Sequence, residues 1–220
     1  MFDNRHDAAA KLAAALAAWR GSNPLVLGIP RGGVPMAAEI ARALGGELDV
    51  VLARKLAAPA NPELAIGSVD ENGHVELLPH AFAVGGDNAW VEKETAAQMA
   101  VLRDRRSAYS RASQQADPSG RVVIVVDDGL ATGATMAACL RSLRERRPKR
   151  LICAVPVAPS ATADAIAHWC DELVCLERAR AFVSVGQCYR AFPQVEDVEV
   201  EDCLKRAASR SLQERHTAGS

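Results

Sequence analysis

The chain has almost no net charge, no paired-cysteine motif and no long unbroken apolar run, and each absence removes a class of protein. Its 26 lysines and arginines nearly cancel 27 aspartates and glutamates, leaving a formal charge of −1 over 220 residues. No global field recruits nucleic acid or an anionic membrane, so any anion site must be local. The six cysteines, at 139, 153, 170, 175, 188 and 203, form no CxxC pair. That spacing argues against a zinc site and a small disulfide scaffold, and reads as reduced thiols in a cytosolic protein. The alanine-rich N-terminus carries charges before and within its apolar stretch, unlike a signal peptide or membrane span, and the expected location is the cytoplasm. No repeat with a period of about 20 to 50 residues is present, and no low-complexity tract interrupts the chain.

What remains is an ordinary soluble composition: 49% apolar residues, 24% charged and a mean hydropathy of −0.02. These values exclude a disordered or fibrous chain, and the length is enough to bury roughly 70% of the unfolded surface. The alternation of elements predicts an α/β domain. Asp7 to Trp19 reads as an amphipathic helix, with Leu12, Leu16 and Trp19 at helical spacing. Leu25 to Ile29 is a strand, Pro30 to Gly33 a glycine turn, Val34 to Leu44 a helix closed by Gly45 and Gly46, and Leu48 to Ala53 a second strand. That is a βαβ unit, which requires a parallel, right-handed crossover.

Residues 54 to 87 break the rhythm with Pro59, Pro62 and Pro79. The spacing predicts an excursion with strands at Leu64 to Val69 and His74 to Leu78 around a turn at Asp70 to Gly73. A helix over Ala89 to Ala112, a strand over Val122 to Val126, a helix over Gly133 to Arg147, a strand over Leu151 to Val155, a helix over Ala161 to Trp169 and a strand over Leu173 to Leu176 follow. Beyond Arg206 the pattern reads as frayed. Ligands of open α/β sheets bind beyond the carboxyl ends of the strands, so the loops at 30 to 33, 54 to 63 and 127 to 135 should share that edge.

The segment Val123-Ile-Val-Val-Asp127-Asp128-Gly-Leu-Ala-Thr132-Gly133-Ala-Thr135 carries the chemistry. Backbone N–H groups at a helix start, with the hydroxyls of Thr132 and Thr135, make a pocket for a phosphate dianion. Gly133 lets the main chain approach closely. Ionised Asp127 and Asp128 accept hydrogen bonds only, so they suit a vicinal diol and repel phosphate unless a cation intervenes. A sugar phosphate satisfies both halves. Adjacent side chains of a straight strand point to opposite faces, so either the strand has ended by Asp127 or only one acid faces the ligand directly. A Walker loop is excluded, because Ala134 stands where lysine would follow Gly133.

The pattern of four apolar residues, two acids, a short spacer and Thr-Gly-x-Thr resembles the ribose-phosphate signature of type I phosphoribosyltransferases. The resemblance implies a mainly parallel twisted sheet flanked by helices, with a small hood and a mobile loop or hairpin. It implies one domain over 1–220: a core over about 20–176, a flexible loop over about 55–87, and a hood from about 177–205 with N-terminal elements. Asp127 and Asp128 would hold the ribose hydroxyls of 5-phosphoribosyl-1-pyrophosphate (PRPP), and Ala131, Thr132, Gly133, Ala134 and Thr135 would wrap its 5-phosphate. Mg²⁺ is the implied cofactor, with Asp127 and Asp128 beside it through PRPP or water. Two departures stand out: Gly129 replaces the usual aliphatic residue, and Ala131 stands where 6-oxopurine transferases carry an aspartate, so adenine-type members match better there.

Gly28-Ile-Pro30-Arg31-Gly32-Gly33 resembles the pyrophosphate loop of that family, with a strained or cis peptide expected between Arg31 and Gly32. Arg54 and Lys55 resemble its Arg-Lys pyrophosphate contact, and Asp127, Asp128 and Arg31 form the implied catalytic set. Asn61 to Gly67 opens the segment in the position of the mobile loop, where a lid would keep water from an oxocarbenium-like ribose; Glu63 is the candidate for handling a proton. Phe182 to Phe192 resembles the hood that receives the acceptor base, with Phe182, then Tyr189, as the stacking ring. From about 24 to 192 the chain is similar to a subgroup described only as predicted phosphoribosyltransferases.

The function so implied is Mg²⁺-dependent transfer of the phosphoribosyl group to a nitrogenous base, as in nucleobase salvage, by a possible homodimer with no membrane or nucleic-acid partner. The alternative is a non-catalytic PRPP-binding regulator. A basic surface continuous across 103–106 and 144–150 would favour the regulator. The basic run from Arg144 to Arg150 lies at a helix C-terminus, where cations offset the dipole in any case.

Overall fold

The computed structural model describes residues 1–110 and 115–218. Along these the chain runs α1 (Arg5–Ala15), β1 (Leu25–Gly28), α2 (Gly33–Leu44), β2 (Glu47–Val50), β3 (Ala53–Ala58), β4 (Asn61–Asp70), β5 (Val75–Leu77), α3 (Asn88–Ser110), β6 (Val122–Val126), α4 (Ala134–Glu145), β7 (Arg150–Pro159), α5 (Ser160–Ala167), β8 (Glu172–Ala179) and α6 (Asp197–Ala218). The last two residues expected in the third helix lie outside the described residues.

Five strands form a parallel sheet in the order β2-β1-β6-β7-β8. The period-two alternation of its strands divides the apolar residues between two cores. Val26, Ile124, Val126, Ile152 and Ala154 face one core, which also contains the apolar faces of α1 and α2. Leu25, Leu27, Val123, Val125, Leu151, Cys153 and Val155 face the other, with Met136, Leu140 and Leu143 of α4 and Ala163 and Ile166 of α5. This follows from crossover handedness. From β1 the chain passes through α2 to β2 on one side, and from β6 it passes through α4 to β7 on the other, so right-handed connections put the two helices on opposite faces. The order therefore reverses between the neighbouring strands β1 and β6, and the place beyond their carboxyl ends is where open sheets of this kind take ligands.

Three expectations change. The apolar run Leu48 to Ala53 is not one strand: β2 stops at Val50, and the chain leaves the parallel sheet to start β3 at Ala53. Residues 54 to 77 are a second sheet, antiparallel in the order β3-β4-β5, so 54 to 63 is strand and hairpin rather than loop. Its Leu56, Ala58, Ile66 and Val69 are buried in the same core as α1 and α2, which anchors this excursion to the domain. The tail beyond Arg206 is helical as part of α6, because Val200, Leu204 and Ala207 recur at helical spacing and bury against α2 and the sheet.

Candidate functional site

Two turns meet at the switch point. The first, Ile29 to Gly32, follows β1 and opens α2; the second, Asp127 to Gly133, follows β6 and opens α4. The amide of Ile29 donates to the carbonyl of Val126 at 2.9 Å, which ties the turns together. Glycine is needed at the contact. A Cβ on Gly32 would overlap the carboxylate of Asp128, and one on Gly33 would overlap the carbonyl oxygen of Val126. The cis peptide of this turn joins Pro30 to Arg31, one bond earlier than expected; Gly32 has already taken helical angles, φ −64° and ψ −29°.

The strand has ended when the two acids appear, but they still diverge. Asp128 follows the parity of Ile124 and Val126 toward α1, where Arg5 meets it with Nε at 2.9 Å and Nη2 at 2.7 Å from Oδ2. Asp127 follows the parity of Val125 toward the opposite side of the sheet. There burial pushes the thiols of Cys139 and Cys153 up, and the charge of Asp127 adds to that rise. Oδ1 of Asp127 accepts the amide of Asp128 at 2.9 Å. Burial, then repulsion from Asp128, pushes Asp127 well above the usual carboxylate range. Burial also raises Asp128, while the guanidinium of Arg5 opposes that rise.

The second turn stays open to ligand. Ala131, Thr132, Ala134 and Thr135 are exposed, whereas Gly133 between them is buried. Gly133 is the N-cap of α4 at φ 74°, with no side chain capping the helix, so the N-terminal amides face a position suited to an anion. The hydroxyl of Thr132 accepts from the amide of Ala134 at 3.4 Å. The turn is braced from behind: Thr162 donates to the carbonyl of Ala131 at 3.0 Å, and the amide of Leu130 donates to Val157 at 2.9 Å. Gly129, the departure from the family pattern, stands at φ 153°, where a Cβ would come within 2.6 Å of Val185. A valine from the C-terminal segment fills the place of the missing aliphatic side chain.

The remaining expected residues scatter. Arg31, in the turn after β1, has Nη1 3.4 Å from Glu196, just before α6, and 3.6 Å from Asp197, its first residue. Arg54 is on β3 and donates from Nε to Gln98 of α3; Lys55 follows it on that strand and is exposed. Phe182 is half-buried against the core. Tyr189 is 5% exposed, with its ring between Phe2 and Phe192 at centroid distances of 5.6 and 4.8 Å and its hydroxyl donating to the carbonyl of Asp128 at 2.7 Å. It supports the acid turn rather than offering a ring face. The side chain of Glu63 lies outside the described residues. Of the basic residues at 103–106 and 144–150, Arg106 pairs with Glu71 and Asp49, Arg144 with Asp171, Arg146 with Asp117 and Arg150 with Glu172.

Arg5 was not among the expected residues. It is far from the motif in sequence, at the first turn of a helix where the dipole disfavours a cation. The only sequence signal is that mismatch of charge and helix end.

A parallel sheet whose order reverses between β1 and β6, with two glycine-capped helix N-termini and two carboxylates at that point, defines an α/β domain. The chain belongs to the phosphoribosyl transferase domain family, whose profile matches residues 3–192. It is 40% identical over 209 residues to a Mycobacterium tuberculosis H37Rv protein provisionally named a phosphoribosyl transferase, covering 94% of this chain and 47% of that protein. The chain therefore spans about half the length of the curated relatives it matches. A ribose-phosphate pyrophosphokinase of Parasynechococcus marenigrum is 30% identical over 146 residues, 64% of this chain and 43% of that one. The crystal structure of TT1426 from Thermus thermophilus superposes with a TM-score of 0.83 at 45% identity, covering 93% of this chain and 98% of that one. No helix among the described residues is long and apolar enough to cross a membrane.

Proposed function

We propose that the chain binds PRPP at the switch point and, with Mg²⁺, transfers its 5-phosphoribosyl group to a nitrogenous base, releasing pyrophosphate. The observation that carries this reading is the meeting of the Gly32–Gly33 turn with Asp128 and the exposed turn 131–135 beyond the carboxyl ends of β1 and β6. Turn 131–135 offers amides and threonine hydroxyls to the 5-phosphate, and Asp128, on the α1 side of the sheet, accepts from a ribose hydroxyl, while Asp127 faces the other side. Arg31 would exchange Glu196 and Asp197 for the leaving pyrophosphate. Arg54 and Lys55, side by side on β3, are the further candidates for pyrophosphate. Phe182 remains the candidate for stacking on the base.

The donor set fits Mg²⁺. Two hard carboxylates, with no larger cluster of metal-ligating side chains among the described residues, match an ion that keeps its waters and takes substrate oxygens. When bound, Mg²⁺ would neutralise pyrophosphate charge; Asp128 would lie beside it through PRPP or water, and Asp127, buried and turned to the other side of the sheet, would act only at longer range. The rest of the rate enhancement would come from position and electrostatics, with Asp128 beside the positive charge developing on the ribose.

The test is pyrophosphate release from PRPP and Mg²⁺ with a panel of purine and pyrimidine bases. Base-dependent release is expected; PRPP binding with no release for any base would leave a PRPP-binding regulator as the better reading.

A further inference from the structure

Arg5 stands 123 residues before its partner and is 13% exposed at its side chain. It places three donors on two partners. Nε and Nη2 go to Oδ2 of Asp128 at 2.9 and 2.7 Å, and Nη1 goes to the carbonyl of Pro193 at 2.6 Å. Its guanidinium plane also lies over the Phe192 ring, 3.8 Å from the centroid. Phe192 and Pro193 belong to the same C-terminal segment as Tyr189, whose hydroxyl holds the main-chain carbonyl of Asp128 at 2.7 Å. Asp128 is thus gripped at its backbone by Tyr189 and at one carboxylate oxygen by Arg5. Phe2, just before α1, closes the cluster against Tyr189.

Both Arg5 donors fall on Oδ2, which leaves Oδ1 as the oxygen that can accept from a ligand. A carboxylate held by two N–H groups on one oxygen does not turn freely about its Cβ–Cγ bond, so the direction of Oδ1 is set before any ligand arrives. Phe192 and Pro193 fix Arg5 in turn, and the strut is complete from the C-terminal segment to the acid.

We propose that Arg5 is a positioning residue for ribose recognition: it saturates Oδ2 of Asp128 and presents Oδ1 to a ribose hydroxyl, which makes the N-terminal helix part of the ligand site. This rests on the reading of Asp128 as a ribose acceptor. Lysine cannot replace it fully, because an ammonium is a point charge and lacks the planar fork that meets one oxygen with two donors while stacking on a ring.

The test is calorimetric titration of the full chain with three probes: PRPP with Mg²⁺, ribose 5-phosphate, and pyrophosphate without Mg²⁺, so that no cation links the last probe to the acid. Arg5→Gln is expected to weaken PRPP and ribose 5-phosphate by about tenfold or more, the scale of a hydrogen bond to a charged group. Pyrophosphate, which does not touch the acid, should bind within about twofold of wild type, a split that general loss of structure would not produce. Arg5→Lys should fall between. In an Asp128→Asn background, Arg5→Gln should add nothing, because the strut then has no acid to position. The proposal is overturned if Arg5→Gln binds ribose 5-phosphate as wild type does, if pyrophosphate is lost equally, or if the two losses add. Should Arg5→Gln fail to fold, Arg5→Lys carries the same comparison, and unchanged ribose 5-phosphate affinity there overturns the proposal too. A wild-type chain that binds pyrophosphate but neither ribose ligand would instead overturn the assignment of Asp128 on which the inference stands.

Discussion

The turn after β1 and the turn after β6 both deliver a helix whose N-cap is a glycine with no side-chain cap, Gly32 for α2 and Gly133 for α4. They differ in what surrounds them. The first is packed against its neighbour so closely that a single methyl group would collide with Asp128 or with the β6 backbone. The second exposes Ala131, Thr132, Ala134 and Thr135 while Thr162 and Val157 hold it from behind. The same local motif thus serves two purposes. One copy is a rigid spacer that fixes the separation of β1 and β6, and the other keeps its amides and hydroxyls accessible. Neighbours and local geometry both separate them, since Gly32 is helical at φ −64° and Gly133 left-handed at φ 74°.

Glycine-to-alanine substitutions break the comparison most directly. Gly33→Ala drives a methyl into the carbonyl of Val126, a backbone atom in the sheet centre that has nowhere to go. The expected loss is about 3 kcal/mol, the upper range for overpacking, and thermal unfolding should show Tm lower by roughly 6 to 12 °C for a chain of this size. A melt within about 2 °C of wild type, the shift expected for less than roughly 1 kcal/mol, would mean that the turns are not in contact.

Next in size is Asp128→Asn, which keeps shape but removes charge. PRPP affinity measured by calorimetry should fall by about 2 kcal/mol, roughly 30-fold, while the circular dichroism spectrum stays native. Unchanged affinity would remove the acid from the site. Gly133→Ala, at φ 74° with a Cβ 2.9 Å from Thr162, should cost roughly 1 to 2 kcal/mol in chemical denaturation. Pairing it with Thr162→Ser sharpens the comparison: relief of the contact should restore part of that loss, and no restoration would assign the whole cost to backbone strain. The smallest effect is Thr132→Ala. Losing one neutral hydroxyl from an exposed turn should weaken inorganic phosphate or PRPP by a few-fold, about 1 kcal/mol, with no change in stability.

Much of the fold is legible locally because its signals are local. β6 is an unbroken β-branched run, and the structure begins and ends it where the run does, at Val122 and Val126. Leu12 and Leu16 mark the buried stripe of the first helix at helical spacing, and both are fully buried. Asp70 to Gly73 is the turn between two antiparallel strands, as its composition implied. Boundaries were less legible where an apolar run is shared: Leu48 to Ala53 reads as one strand, yet only tertiary pairing shows that β2 pairs with β1 and β3 with β4.

The acid–threonine motif was legible because its parts lie within thirteen residues. Its supports were not. Tyr189 looked like a ring for stacking and is a buried prop for Asp128, because exposure depends on Phe2 and Phe192 arriving from opposite ends of the chain.

By itself, then, the sequence determined the alternation of strand and helix, the glycine turns and the pairing of acids with a helix-opening threonine turn, since each depends on neighbours within a few residues. The tertiary structure alone decided that two such turns meet between β1 and β6, that Arg31 faces acids of α6, and that Arg5 takes hold of Asp128. Those contacts join residues more than ninety positions apart. Their geometry is set by sheet order and crossover handedness, which no local pattern contains.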